Sequence, residues 1–187
     1  NEENLWQMSN YNDFGILPIL PYNCITHLID NSELVWKLLQ YNDANAWKED
    51  SSHPDLTKSQ KGALIYDGLK TMTDCRVFMT TGLDSAWVEE CCQLRISVLT
   101  ADPVNYVVGN ISIGMEIYPH AKVAQLSNYQ TRADMLAQEL IRIFNGADVG
   151  GLGKLYFDAR MNPRCRLRVV GYTPFVGKSI IFCNWAV

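Results

Sequence analysis

Two stretches near the middle of the chain alternate apolar and polar residues with a period of two. Leu94, Ile96 and Val98 share one side of 94–99, and Ile111, Ile113, Met115 and Ile117 share one side of 111–118. An extended chain sends successive side chains to opposite faces, so each stretch reads as a half-buried strand, and the two imply a sheet with one apolar face. The connection Thr100 to Asn110, with Asp102, Pro103, Gly109 and Asn110, is expected to protrude as a hairpin loop. Its Val104, Tyr106, Val107 and Val108 would expose apolar area at a tip, as on a surface that docks on something. Further strands are expected at 76–81, 154–158, 164–171 and 179–185, the last two joined by a turn from Pro174 to Lys178.

Helical spacing falls elsewhere. Leu34, Val35, Leu38 and Leu39 repeat on one face of 31–41, behind Asn31 or Ser32 as a cap. Thr57 stands three residues before Gln60 in capping-box spacing, which predicts a helix over 57–69. Met135, Leu136, Leu140, Ile143 and Phe144 make an apolar stripe over 130–144, with Thr131 and Asp134 or Ser127 and Gln130 to start it and Asn145-Gly146 to stop it. Residues 1–30 are Asn-rich, carry the anchors Leu5, Trp6, Phe14 and Leu17, and contain Pro18 and Pro21, which predicts an extended arm rather than a long helix. The fold class is therefore α+β: a mainly antiparallel sheet packed by one long helix, preceded by an extended N-terminal arm and two short helices. Residues 1–75 form the arm and helical segment, and 76–187 the sheet domain.

Composition excludes several classes. With 48% hydrophobic and 19% charged residues the chain has a globular balance, and no apolar run approaches the roughly 20 residues that cross a bilayer. No basic start precedes an apolar stretch, so a signal peptide is not visible and assembly inside the cell is expected. The six cysteines lack disulfide-framework or zinc-knuckle spacing and read as reduced packing residues. Charge is uneven: residues 1–93 hold 14 acids against 6 Lys and Arg, residues 94–187 hold 6 against 10. Such polarity is either a solvated surface or a means of steering one subunit onto the next.

Candidate chemistry is thin. The cluster Gly146, Gly150, Gly151, Gly153, Lys154 resembles a phosphate loop only superficially, since Asp148 and Leu155 stand where glycine and Ser or Thr are required. His27, His53 and His120 are dispersed, and only Cys24 with His27 has ligand-like spacing, so no metal and no cofactor are expected. Cys91, His120 and Glu116 could assemble as nucleophile, base and orienting acid only by folding, with no local signature. The sharpest feature is Arg160, Arg164, Arg166, Arg168. In a strand the last three project from one face at intervals of about 6.8 Å, leaving Cys165, Leu167 and Val169 on the other. Such a stripe suits a solvated face, an acidic protein partner or nucleic-acid phosphates.

The stretch Ser127-Asn128-Tyr129-Gln130-Thr131-Arg132, the helix running to Asn145-Gly146, then Gly150 to Phe157 and Gly171-Tyr172-Thr173-Pro174-Phe175-Val176-Gly177-Lys178, resembles virion neck proteins of tailed bacteriophages, in particular head-to-tail connector and tail-terminator-like ring subunits. The resemblance covers residues 76–187. It implies a virion structural protein rather than an enzyme, assembled in the host cytoplasm, with identical subunits closing a ring around the DNA channel beside portal, neck or tail proteins. The expected contact residues are Trp6, Phe14 and Leu17 of the arm, Val104, Tyr106 and Val107 of the hairpin, and Arg164, Arg166 and Arg168 of the stripe. A small α+β enzyme and a nucleic-acid-binding accessory protein are the alternatives.

Overall fold

The computed structural model describes residues 15–80, 89–104, 109–150 and 153–184. The longest pairing is the predicted one: β2 (Cys92–Pro103) runs antiparallel to β3 (Gly109–Pro119), with Leu94 opposite Ile117, Ile96 opposite Met115 and Val98 opposite Ile113. Four shorter or later strands join them: β1 (Val77–Phe78), β4 (Leu155–Tyr156), β5 (Arg166–Tyr172) and β6 (Phe175–Asn184). The order is β1-β2-β3-β6-β4, with β5 beside β6 as well, and only β1 is parallel to its neighbour. The protein is thus α+β with a six-stranded, mainly antiparallel sheet.

Four helices accompany the sheet: α1 (Leu20–Asn31), α2 (Leu34–Gln40), α3 (Lys58–Ala63) and α4 (Arg132–Phe144). The first corrects the expectation of an extended arm through residue 30. Pro21 falls in the first turn, where its missing N–H would have had no helical partner, so proline starts this helix instead of breaking it. Its buried face is Leu20, Cys24, Ile25 and Leu28. α3 has the expected box, Thr57 Oγ1 accepting from Gln60 N–H at 3.3 Å and Gln60 Oε1 from Thr57 N–H at 2.8 Å, but it stops at Ala63 rather than Leu69. Ile65 leaves to bridge Val77, and Lys70 Nζ takes the carbonyls of Gly62 and Ile65 at 2.8 Å each. α4 is capped by Thr131 and has 13 residues against 12 in α1, so two helices of similar length stand in place of one long one.

Residues directly opposite one another in a ladder share a face, so the register assigns the two sides of the sheet. The helix-covered side carries Val77, Leu94, Ile96, Ile113, Met115, Ile117, Ile180 and Phe182, which join Leu28, Trp36, Leu39, Leu136, Leu140 and Phe144 in one buried cluster. This core crosses the boundary expected at residue 75. The other side is polar in its centre, with Gln93, Arg95, Ser97, Glu116 and Ser179, between two small apolar clusters: Cys75, Phe78 and Cys91 at one end, Cys165, Ile181 and Cys183 at the other. All six cysteines are buried and free, and burial pushes the Cys24 and Cys92 thiols up to about 12.

The C-terminal hairpin differs from expectation in register. The turn is the two-residue step 173–174, and Phe175 to Lys178, expected in the turn, already belong to β6, with Gly177 opposite Val170. Gly177 allows this because a Cβ there would lie 1.7 Å from the Ile117 carbonyl oxygen, so only glycine lets β6 approach β3 so closely.

Candidate partner interface

The polar loop between α2 and α3 is held from inside. Arg132, fully buried at the start of α4, donates to the carbonyls of Leu38 (2.5 Å), Tyr41 (2.8 Å), Asp43 (2.9 Å) and Val123 (2.8 Å). His53 sits between two carboxylates, Nε2 2.8 Å from Asp43 and Nδ1 3.0 Å from Asp50, with Tyr41 edge-on at 5.0 Å. Carboxylates only accept, so the imidazolium alone satisfies both contacts. The bond to Asp43 is the largest influence and, with that to Asp50, raises the His53 pKa against burial. Burial is the largest single influence on Asp43, yet the bonds from His53 and Asn45 together hold it low; His53 chiefly lowers Asp50. Around it, Lys37 pairs with Asp55, Lys58 with Asp30, Lys61 with Glu33 and Lys70 with Asp67. Six of the ten described carboxylates of the acidic half are therefore engaged within that half.

The fold brings His120 beside Cys91, its N–H donating to the Cys91 carbonyl at 2.9 Å, but no described side-chain bond links Cys91, His120 and Glu116. Burial raises the Cys91 pKa and keeps it a thiol. His120 Nδ1 accepts from the Lys122 N–H at 3.2 Å and its ring stands edge-on to Phe175, while Glu116 accepts from the Tyr118 hydroxyl at 3.0 Å. The glycine cluster is a connector: Gly146 N–H donates to Leu155 O at 2.7 Å, and Leu155 N–H to Ala147 O at 2.8 Å, turning the chain from α4 into β4. Among the described residues no group of three or more His, Cys, Asp or Glu is arranged to hold a metal ion.

The expected contact residues separate. Trp6, Phe14, Tyr106 and Val107 lie outside the described residues. Leu17 packs against the chain's own core, in the turn that leads into α1. Val104 is 57% exposed just beyond β2. Arg164 is not part of a stripe: β5 begins at Arg166, so Arg164 sits in the preceding turn, where its guanidinium pairs with Asp102 and donates to Thr100 Oγ1 at 3.0 Å. Cys165 likewise leaves the alternation and packs with Ile181 and Cys183 on the polar side of the sheet.

What remains is β5 itself. It pairs with β6 from Arg166 opposite Ile181 to Tyr172 opposite Phe175, and no described strand pairs with its other edge. Alternate residues along such an edge direct their N–H and C=O groups outward. Arg166 and Arg168 are exposed on the polar side, and their side chains bond to no described residue. On the helix side, Lys178 reaches Asp134 of α4 at 2.9 Å, but Val169 opposite Lys178 and Leu167 opposite Ile180 lie beyond the helices, 68% and 42% exposed. Sequence reasoning identified the arginines. It missed that the apolar alternates are uncovered too, because no local pattern tells where a distant helix stops.

Comparison with curated proteins and with solved structures finds no match. Among protein families, residues 31–182 match YomW, a span that takes in the sheet up to the last two residues of β6 and all the helices except α1. The chain belongs to the YomW family, a phage-derived family of the Bacillus SPbeta-like yom group.

Proposed function

We propose that this phage protein is a virion structural subunit that forms a ring in the neck, joining head to tail through protein–protein contacts around the DNA channel. The observation that carries the reading is β5, a seven-residue edge strand with exposed residues on both faces and two arginines without a described partner. Long open edges are usually shortened, covered or bulged in proteins that act alone, because they template pairing with other chains. A ring needs unlike patches on each subunit, one to give and one to receive, and the outer edge of β5 offers one such patch. Quantitative mass spectrometry of purified phage particles, with mass measurement of the isolated chain, tests this. The expected result is a fixed copy number per particle matching a closed oligomer; absence from particles together with a strict monomer overturns it.

A further inference from the structure

The open edge of β5 raises the question of what completes it. A second β5 is the simplest occupant to consider, since a two-fold axis perpendicular to the sheet would join two copies edge to edge. That operation keeps each face on its own side, so Arg166 and Arg168 of one copy would meet Arg166 and Arg168 of the other, or Val170. Like charges directly opposite across a ladder are destabilising. The chain's own acids do not serve either. A strand laid against β5 would need carboxylates two residues apart to face Arg166 and Arg168 together. No two of the 20 acidic residues stand two apart anywhere in the 187-residue sequence. Most of those in the helical region are engaged already, Asp30, Glu33, Asp55 and Asp67 with lysines and Asp43 and Asp50 with His53.

We infer that β5 is a strand-addition site for an extended segment of a different protein, one that alternates carboxylates with apolar residues. Its carboxylates face Arg166 and Arg168, its apolar residues cover Leu167 and Val169, and its backbone takes the outward N–H and C=O groups. A strand matches all three features of the edge. A phosphate backbone would use only the arginine side, leaving two exposed apolar side chains and the backbone groups unpaired, on a chain of net charge −4. The inference rests on the reading of the chain as a protein-contact subunit and specifies the partner at that contact.

The test uses the full chain with three probes: acetyl-Glu-Val-Glu-Val-Glu-amide, the same peptide with lysine for glutamate, and a single-stranded oligothymidylate. The acidic peptide should slow hydrogen exchange at β5 amides and bind about tenfold tighter than the lysine peptide, as two opposite-charge cross-strand pairs allow. The double variant Arg166→Glu, Arg168→Glu should invert that preference, and its binding of the lysine peptide shows in itself that the edge is folded. Equal affinity for both peptides, protection of β5 by the oligothymidylate alone, or a β5-dependent dimer in sedimentation would each overturn the inference. The particle measurement is independent of it: presence in particles without peptide selectivity removes the strand-addition site only, and selectivity shown by a strict monomer absent from particles removes the neck assignment only.

Discussion

The helical region and the C-terminal hairpin treat their charged side chains in opposite ways. Around α1 to α3, cations and carboxylates are matched: Lys61 is almost fully buried between Glu33 and the Ile29 carbonyl, His53 bridges two aspartates, and Arg132 reaches in from α4 to hold three carbonyls of that region. On β5, Arg166 and Arg168 stand in solvent beside uncovered Leu167 and Val169. A charge placed inside must be paired or it costs several kcal/mol, so the inner set is bound by folding itself. A charge at an open edge costs folding almost nothing and remains available for a contact outside the chain. The net polarity of the two halves, −8 against +4, is therefore a poor guide to what each half offers: six of the ten described carboxylates of the acidic half are matched within it, whereas the basic half leaves two arginine side chains unmatched at one strand.

The contrast can be broken at its strongest point by Arg132→Ala, which leaves four carbonyls without their donor. The expected loss is about 3–5 kcal/mol, the range for disrupting a buried charged network, read as a lower midpoint in urea unfolding. A smaller effect follows from pH. His53 has a raised pKa when folded, so its contribution is complete below the ordinary histidine value of about 6.5 and is lost as pH rises through the folded value. Asp43 and Asp50 are lowered, so theirs is complete above about 3.9 and is lost as pH falls through their folded values. Stability from this cluster should hold between those limits and decline on the alkaline side; His53→Gln should flatten that decline in a series of unfolding midpoints. The smallest effect belongs to β5. Arg166→Glu with Arg168→Glu should move stability by no more than about 0.5 kcal/mol, as for exposed positions generally, while changing what the edge binds. A large loss of stability would mean that these arginines serve the fold and that the contrast is mistaken.

Much of the architecture was legible because it is written in local rules. Period-two alternation placed β2 and β3 and paired Ile96 with the right strand; Thr57 with Gln60 and Thr131 with Asp134 announced two helix starts by their side-chain chemistry. The failures are also local rules, read in the wrong position. Pro21 signals a break inside a helix and a beginning in its first turn, and nothing within α1 says which. Phe175 to Lys178 reads with Pro174 as a turn, yet Gly177 within it lets two backbones approach across the sheet, a contact with residues about sixty positions away. Arg164 has the spacing of a stripe, but the chain is still turning there and Asp102 claims it.

The sequence alone determined the α+β class, the main hairpin, the caps of α3 and α4 and the existence of a basic alternation, since each depends on neighbours a few residues apart. Only the tertiary structure decided which of the arginines stay free and that Leu167 and Val169 go uncovered. Those outcomes depend on where α4 ends relative to β5 and on which carboxylates other segments bring within reach, distances that close only when the chain is folded.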